Sequence, residues 1–236
     1  MAKFAVILAA AGASSRFGDP NQKKVYALIG DKPLWMFSAE LFSNHAEVAQ
    51  VLLVIAPDDR EYFEHRYAAS AALLGIEIVH GGAQRADSVL NGLRRVKDEI
   101  DFVAVHDAAR PCVTDDDVSR VFAAAKKSGA AILATKCHST VKRGDASGNI
   151  QETVPRDDLW LAQTPQVFRK DVIEDAFAKH SNPSLATDEA SLIEAAGGKV
   201  ALVEGHMMNI KVTTKADLKF AAMAVKSKPK TNPFPF

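Results

Sequence analysis

The chain predicts an α/β fold, a mostly parallel sheet covered by helices on both faces, and three observations support it. Short apolar runs of strand length alternate with amphipathic stretches of helix length along most of the chain. Several of those runs are continuously apolar, the pattern of strands buried on both sides. The 236 residues, 47% of them hydrophobic, are enough to bury one sizeable core.

The elements follow in order. Residues 4–10 (FAVILAA) form the first strand and run into small residues, Gly12, Ala13, Ser14 and Ser15, followed by Arg16 and later Lys24. Residues 33–44 read as a helix and 50–56 as the second strand, after which Asp58 opens a helix over 58–74. The strand at 76–80 leads into Gly81 and Gly82 and a helix over 84–97, which begins with Arg85, Asp87 and Ser88. The strand at 101–106 ends in VHDAARP, and Thr114 with Asp115 to Asp117 starts a helix over 114–128. A strand at 130–136 follows. Residues 138–155 then break the rhythm with a turn-rich Gly-Asp-Ala-Ser-Gly-Asn centre between β-branched flanks, which predicts a hairpin arm. Helices over 169–180, 187–196 and 214–225 and a strand at 199–204 complete a single domain over 1–225. Residues 226–236, with three prolines and three lysines, read as a frayed tail.

Composition narrows the function. Twenty-nine basic and 29 acidic residues leave no net charge to drive binding to nucleic acid or a membrane surface, so any polyanion site is local. No stretch approaches the roughly 20 apolar residues that cross a bilayer. The N-terminal run lacks the length and cleavage site of a signal peptide. Two cysteines are too few for a disulfide framework and lack zinc-site spacing, so the expected compartment is the cytoplasm.

In open α/β sheets ligands bind beyond the carboxyl ends of the strands. The residues found there form one candidate site: the Gly12 loop with Arg16 and Lys24, the Gly81–Gly82 turn, His106, Asp107 and Arg110, and Lys211 in NIKVT. Backbone N–H groups and cations suit a nucleoside triphosphate. Asp107 is the candidate ligand for Mg²⁺, which takes one or two carboxylates plus phosphate oxygens. Cations around an α-phosphate under attack favour nucleotidyl transfer over hydrolysis. Each feature also has a plainer reading: a strand-to-helix turn with solvated cations, an Asx turn at Asp107, a packed or hydrogen-bonding strand-end residue at His106. No serine sits in a G-x-S-x-G elbow, so a Ser-His-Asp relay is unsupported.

Eight blocks in order, AAAGASSRFG with KKVYALIG, GGAQRADSVLNGL, VHDAARP, STVKR, LAQTPQVF, ATDEASL and VEG…NIKVTTKADL, resemble the 2-C-methyl-D-erythritol 4-phosphate cytidylyltransferase family of the non-mevalonate isoprenoid pathway. The resemblance implies a Rossmann-like nucleotidyltransferase that joins CTP to methylerythritol phosphate with Mg²⁺ and releases pyrophosphate, and a homodimer embraced through the β-arm. It implies Arg16 and Lys24 as transition-state stabilisers and Lys211 as the lysine that holds the reacting phosphates together. Asp107 falls on the metal and substrate side. The backbone of Ala10, Ala11 and Gly12 would meet phosphates, and Gly82, Ala83 and Ser88 the cytosine. Thr140 and Arg156 would reach across from the partner's arm, while Arg110, Thr164 and Thr187 complete the acceptor site.

The chain departs from the family pattern in three places. Ser14 stands where a second glycine is usual, Lys23-Lys24-Val25-Tyr26 replaces Pro-Lys-Gln-Tyr so that two lysines compete for one role, and Met208 precedes Asn209 where a polar or acidic residue is usual. Three other readings are a ribitol 5-phosphate cytidylyltransferase, which differs in the polyol pocket, a non-catalytic nucleotide-binding module, and a dinucleotide-binding dehydrogenase. The dehydrogenase needs a G-x-G-x-x-G loop and a ribose-binding acid that this chain lacks.

Overall fold

A computed structural model describes residues 2–19 and 22–227. The elements in chain order are β1 (Phe4–Ala9), β2 (Leu28–Ile29), β3 (Lys32–Pro33), α1 (Leu34–Ser43), β4 (Val48–Ile55), α2 (Arg60–Leu73), β5 (Ile76–His80), α3 (Arg85–Leu93) and β6 (Phe102–Asp107). There follow α4 (Asp115–Ser128), β7 (Ala130–Lys136), β8 (Val141–Gly144), β9 (Ile150–Val154), β10 (Trp160–Arg169), α5 (Lys170–Lys179), α6 (Glu189–Ala195), β11 (Ala201–Glu204) and α7 (Lys215–Ser227). Lys226 and Ser227, read from the sequence as tail, end α7, and the rest of that tail, 228–236, lies outside the described residues.

Seven strands form the main sheet in the order β11-β7-β10-β6-β1-β4-β5. Every neighbouring pair is parallel except those made by β10, which runs antiparallel to both β6 and β7. The sheet is therefore mostly parallel, as expected. The reversed strand near its middle, 160–169, is one that the sequence pattern does not predict. Pro165 interrupts the run, and a proline inside a strand removes a ladder donor. Here it falls where the β10–β7 register shifts between Ala162 and Gln166, so the ladder tolerates it.

Alternation along β1 builds a core on each face. Phe4, Val6 and Leu8 join the cluster that includes Trp35 of α1, Phe63 of α2, Phe122 of α4 and Ala221 of α7. Ala5 and Ile7 join the opposite cluster with Val89 of α3, Ile173 of α5 and Ile193 of α6. Burial of each large side chain contributes about 1.5–3 kcal/mol. Gly92 lets α3 lie close on the sheet, because a Cβ there would come 2.8 Å from Ile7 Cγ2. The expected cap chemistry holds at α4 but not at α2, where Asp58 lies in a preceding 3-10 turn and Asp59 stands at the N-cap without a side-chain bond. Thr114 Oγ1 accepts the Asp117 amide at 3.1 Å and Gly129 ends α4 at φ 81. The cap of α6 is Asp188, which accepts from the Ser191 amide at 3.0 Å.

The segment read as an arm is the antiparallel hairpin β8–β9. Its turn is held by Asp145, whose carboxylate accepts the amides of Ser147 and Asn149, each at 2.9 Å. Its residues are almost all exposed.

Candidate active site

Backbone bonds gather the loops at the carboxyl edge of the sheet. Ala10 N–H donates to the Val54 carbonyl, Gly81 N–H to Ile55, Ala108 N–H to Ala9 and Val212 N–H to Ala109. The ends of β1, β5 and β6 and the segment carrying Lys211 are thus pinned side by side. Between them lies a cleft of about 310 Å³, walled by the 9–13 loop, by Gly82 to Arg85 and Ser88, and by Lys24, Asp107 and Lys211.

The glycines differ in what they serve. A Cβ on Gly81 would stand 2.6 Å from Ala11 Cβ, and one on Gly82 would stand 2.5 Å from Asp87 Cβ, so both are needed for close packing. A Cβ on Gly12 would meet nothing within 4 Å. That position opens onto the cleft, which suits close approach of a ligand. Ser88 is buried; its hydroxyl accepts the Gly82 amide at 3.1 Å and donates to the Gln84 carbonyl at 3.0 Å, shaping the turn rather than projecting from it.

Asp107, in register with Ala9 of β1, is the centre of charge. Its carboxylate lies 3.0 Å from Lys211 Nζ, 3.3 Å from Arg110 Nε and 3.5 Å from Arg85 Nε. Burial alone would raise its pKa, but the fields of Lys211, Arg85 and Arg110 reverse this and hold it well below the usual carboxylate range. Arg110 also donates to the Asn209 carbonyl at 2.6 Å. Lys24 faces the same cleft, and burial and then the Lys211 ammonium bring its pKa down to about 8, with Arg16 and Arg110 adding to the effect and Asp107 opposing it.

The loop also separates the two consecutive lysines. Lys23 Nζ pairs with Asp59 at 2.7 Å, beside the Tyr26 hydroxyl that donates to the same carboxylate at 3.2 Å. This pair borders a separate cavity of about 570 Å³ that also includes Ser14 and Tyr62. Ser14 adopts φ 58, the left-handed region where the family's glycine is at ease, and its hydroxyl accepts the Lys24 amide at 3.2 Å. Met208 is exposed, and the neighbouring Asn209 is buried.

Of the residues singled out in the sequence, Ala10, Ala11, Gly12, Lys24, Gly82, Ala83, Ser88, Asp107 and Lys211 meet at the cleft. Arg110 joins them through Asp107, and exposed Arg16 through its field on Lys24. Thr164 is buried behind the cleft, its hydroxyl accepting the Asp107 amide at 3.0 Å. Thr140, Arg156 and Thr187 are exposed and do not line it, and the Arg156 guanidinium donates to the His138 carbonyl at the base of the arm. Among the described residues no three His, Cys, Asp or Glu side chains are grouped to hold a metal, which leaves Asp107 as the acid of the cleft.

Sequence reasoning passed over the Arg85–Glu189 pair. Arg85 lines the cleft and binds Glu189 through two bonds of 2.6 and 3.0 Å while touching Asp107. Glu189 is almost fully buried, which raises its pKa against the field of Arg85. A signal was present: a cation in the first turn of a helix opposes the macrodipole, so Arg85 needed another reason to stand there.

Residues 4–227 match the family described as 2-C-methyl-D-erythritol 4-phosphate cytidylyltransferase. Proteins of that name from Rhodopirellula baltica and Tolumonas auensis are 39% and 42% identical over 231 and 224 residues. These matches cover 93% of this chain and 93% of the first relative, and 94% of this chain and 96% of the second. The crystal structure of 2-C-methyl-D-erythritol 4-phosphate cytidylyltransferase from Thermus thermophilus superposes with a TM-score of 0.77 at 31% identity, covering 94% of this chain and 98% of that one. With nearly its whole length matched in sequence and in fold, this chain belongs to the 2-C-methyl-D-erythritol 4-phosphate cytidylyltransferase family.

Proposed function

We propose that this chain transfers the cytidylyl group of CTP to 2-C-methyl-D-erythritol 4-phosphate. An oxygen of the acceptor phosphate bonds to the α-phosphorus of CTP, the bond from that phosphorus to the bridging oxygen breaks in line, and pyrophosphate carries that oxygen away. The observation that carries this reading is the gathering of Lys24, Lys211, Arg85 and Arg110 around Asp107 beside the open Gly12 loop. Such a set neutralises a triphosphate and stabilises charge that builds up in transfer, without a covalent intermediate.

The roles follow from position and from the family. Arg16 and Lys24 act on the α-phosphate in the transition state, Lys211 holds the two phosphates near one another, and the backbone of Ala10 to Gly12 donates to the triphosphate. Gly82, Ala83 and Ser88 form a slot sized for a pyrimidine. Arg110 contacts the acceptor, Thr187, which stands outside the cleft, is given that role by the family pattern alone, and Thr164 acts by accepting the Asp107 amide. Asp107 is the carboxylate lining the cleft that could take Mg²⁺ together with phosphates and waters, once a bound triphosphate draws Lys211 and the arginines off its two oxygens. When bound, the ion would neutralise phosphate charge and orient the triphosphate. Lys211 is near enough to exchange Asp107 for phosphate.

The exposed Thr140 and Arg156, with Ile150, Leu159 and Leu161 exposed along the arm and the strand after it, support a homodimer in which the arm serves the partner's site. Among the described residues no helix is long and apolar enough to cross a membrane. The reading assigns the enzyme to the cytoplasm. The test is pyrophosphate release from each of the four common NTPs, with methylerythritol phosphate and ribitol 5-phosphate as acceptors. Release from CTP with methylerythritol phosphate alone is expected; preference for ribitol phosphate, or for a purine nucleotide, overturns the assignment.

A further inference from the structure

His106 stands one residue before Asp107 and is wholly buried, with Phe42 edge-on at 5.1 Å between ring centroids. Both ring nitrogens have partners: Nδ1 is 3.1 Å from Thr164 Oγ1, and Nε2 is 3.2 Å from Ser38 Oγ. Each hydroxyl makes one further bond whose sense is fixed by chemistry. Thr164 Oγ1 accepts the Asp107 amide N–H at 3.0 Å, and Ser38 Oγ donates to the Arg110 carbonyl at 3.3 Å.

Those fixed ends determine the protons between them. The single Ser38 proton is committed to Arg110, so Ser38 accepts from an Nε2–H. Nδ1 of the neutral ring is then bare and accepts the Thr164 proton. Donation runs in one sense through Asp107 N–H, the Thr164 hydroxyl and Nδ1, then through Nε2–H, the Ser38 hydroxyl and the Arg110 carbonyl. The other tautomer breaks the Ser38–Arg110 bond and leaves the Thr164 proton facing an N–H, a loss for buried groups that the Thr164 backbone, which also faces the ring, offsets only in part.

The chain starts and ends on one turn, which the Arg110 amide closes onto the Asp107 carbonyl at 3.0 Å. We propose that His106, as the neutral Nε2–H imidazole, is a positioning residue that ties Thr164 to Ser38 and so holds both ends of the turn presenting Asp107 and Arg110. Its kinetic consequence rests on the cytidylyltransferase reading; the site of the proton does not.

The test uses the full chain labelled with ¹⁵N-histidine. Ring ¹H–¹⁵N correlation spectra, with the His106 signals identified by their loss in His106→Asn, are expected to show a proton on Nε2 and none on Nδ1. A proton on Nδ1, or an imidazolium, overturns the proposal. In kinetics, Ser38→Ala cuts the Arg110 end, and His106→Asn leaves an acceptor for Thr164 but cannot reach Ser38. Each is expected to raise the KM for the polyol phosphate roughly 10- to 100-fold while the KM for CTP changes less. His106→Gln reaches Ser38 from the Nε2 position but leaves the Thr164 proton without its acceptor, and is expected to be impaired like the other two. Wild-type KM values in folded His106→Asn and Ser38→Ala also overturn it. Should the wild-type chain show no cytidylyl transfer, the functional reading fails while the ring spectrum still decides this inference.

Discussion

Lys23 Nζ sits 2.7 Å from Asp59, whereas Lys24, the next residue, lines the cleft with Asp107 and Lys211. One carboxylate therefore sorts two adjacent lysines of the same type into different tasks. Lys24→Ala is expected to lower kcat by about 3 kcal/mol of transition-state stabilisation or more, with a modest change in CTP affinity. Lys23→Ala strips the cation from the buried Asp59 carboxylate, is expected to cost about 1–3 kcal/mol in stability, and keeps its turnover. Steady-state kinetics and thermal melts of both variants check this, and equal turnover losses would contradict it.

The depressed pKa of Lys24 sets a pH limit. Its cation is lost as pH rises through about 8, rather than through the ordinary 10.5, so kcat/KM for CTP falls above pH 8. Removing a cationic neighbour raises that pKa: Lys211→Met is expected to move the basic limb to higher pH. Asp107→Asn removes an influence that favours the cation and is expected to move it lower. Profiles of the residual activity measure both, and a limb that stays in place in both variants argues that another group titrates.

Gly12 and Gly82 separate ligand space from packing space. Gly12→Ala is expected to leave the melting temperature unchanged and to raise the KM for CTP, because its methyl would occupy only the open cleft. Gly82→Ala must displace Asp87 and is expected to destabilise the fold by about 1–3 kcal/mol. Urea unfolding and CTP titration of the two variants distinguish the cases; a Gly12→Ala chain with ordinary CTP affinity would remove that loop from the nucleotide site.

The arm is open to complementation. Arg156→Ala and Lys24→Ala, each impaired alone, are expected to regain activity when the chains are mixed and allowed to exchange, since in the proposed homodimer a hybrid would contain one intact composite site. Absence of rescue under verified subunit exchange counts against action in trans.

Most of the sheet was legible because its strands are short apolar runs bounded by caps such as Thr114 and turns such as Gly81–Gly82. β10 was not, because its first half is partly exposed and Pro165 interrupts its second half, so no run of one period survives. The convergence of Asp107, Lys24 and Lys211 was legible from position after the strands. What each side chain binds was not. The choice between Lys23 and Lys24 depends on Asp59, far from both in sequence, and the buried hydroxyl of Thr164 depends on β10 lying against β6. Such pairings are set by topology, which local pattern does not carry.

The most direct test of the account is a crystal structure of this chain with CTP. The triphosphate is predicted beside Gly12, within reach of Arg16, Lys24 and Lys211, with the cytosine against Gly82, Ala83 and Ser88. CTP bound instead in the cavity bordered by Lys23, Asp59 and Tyr62, with the Asp107 cleft left free, would contradict it.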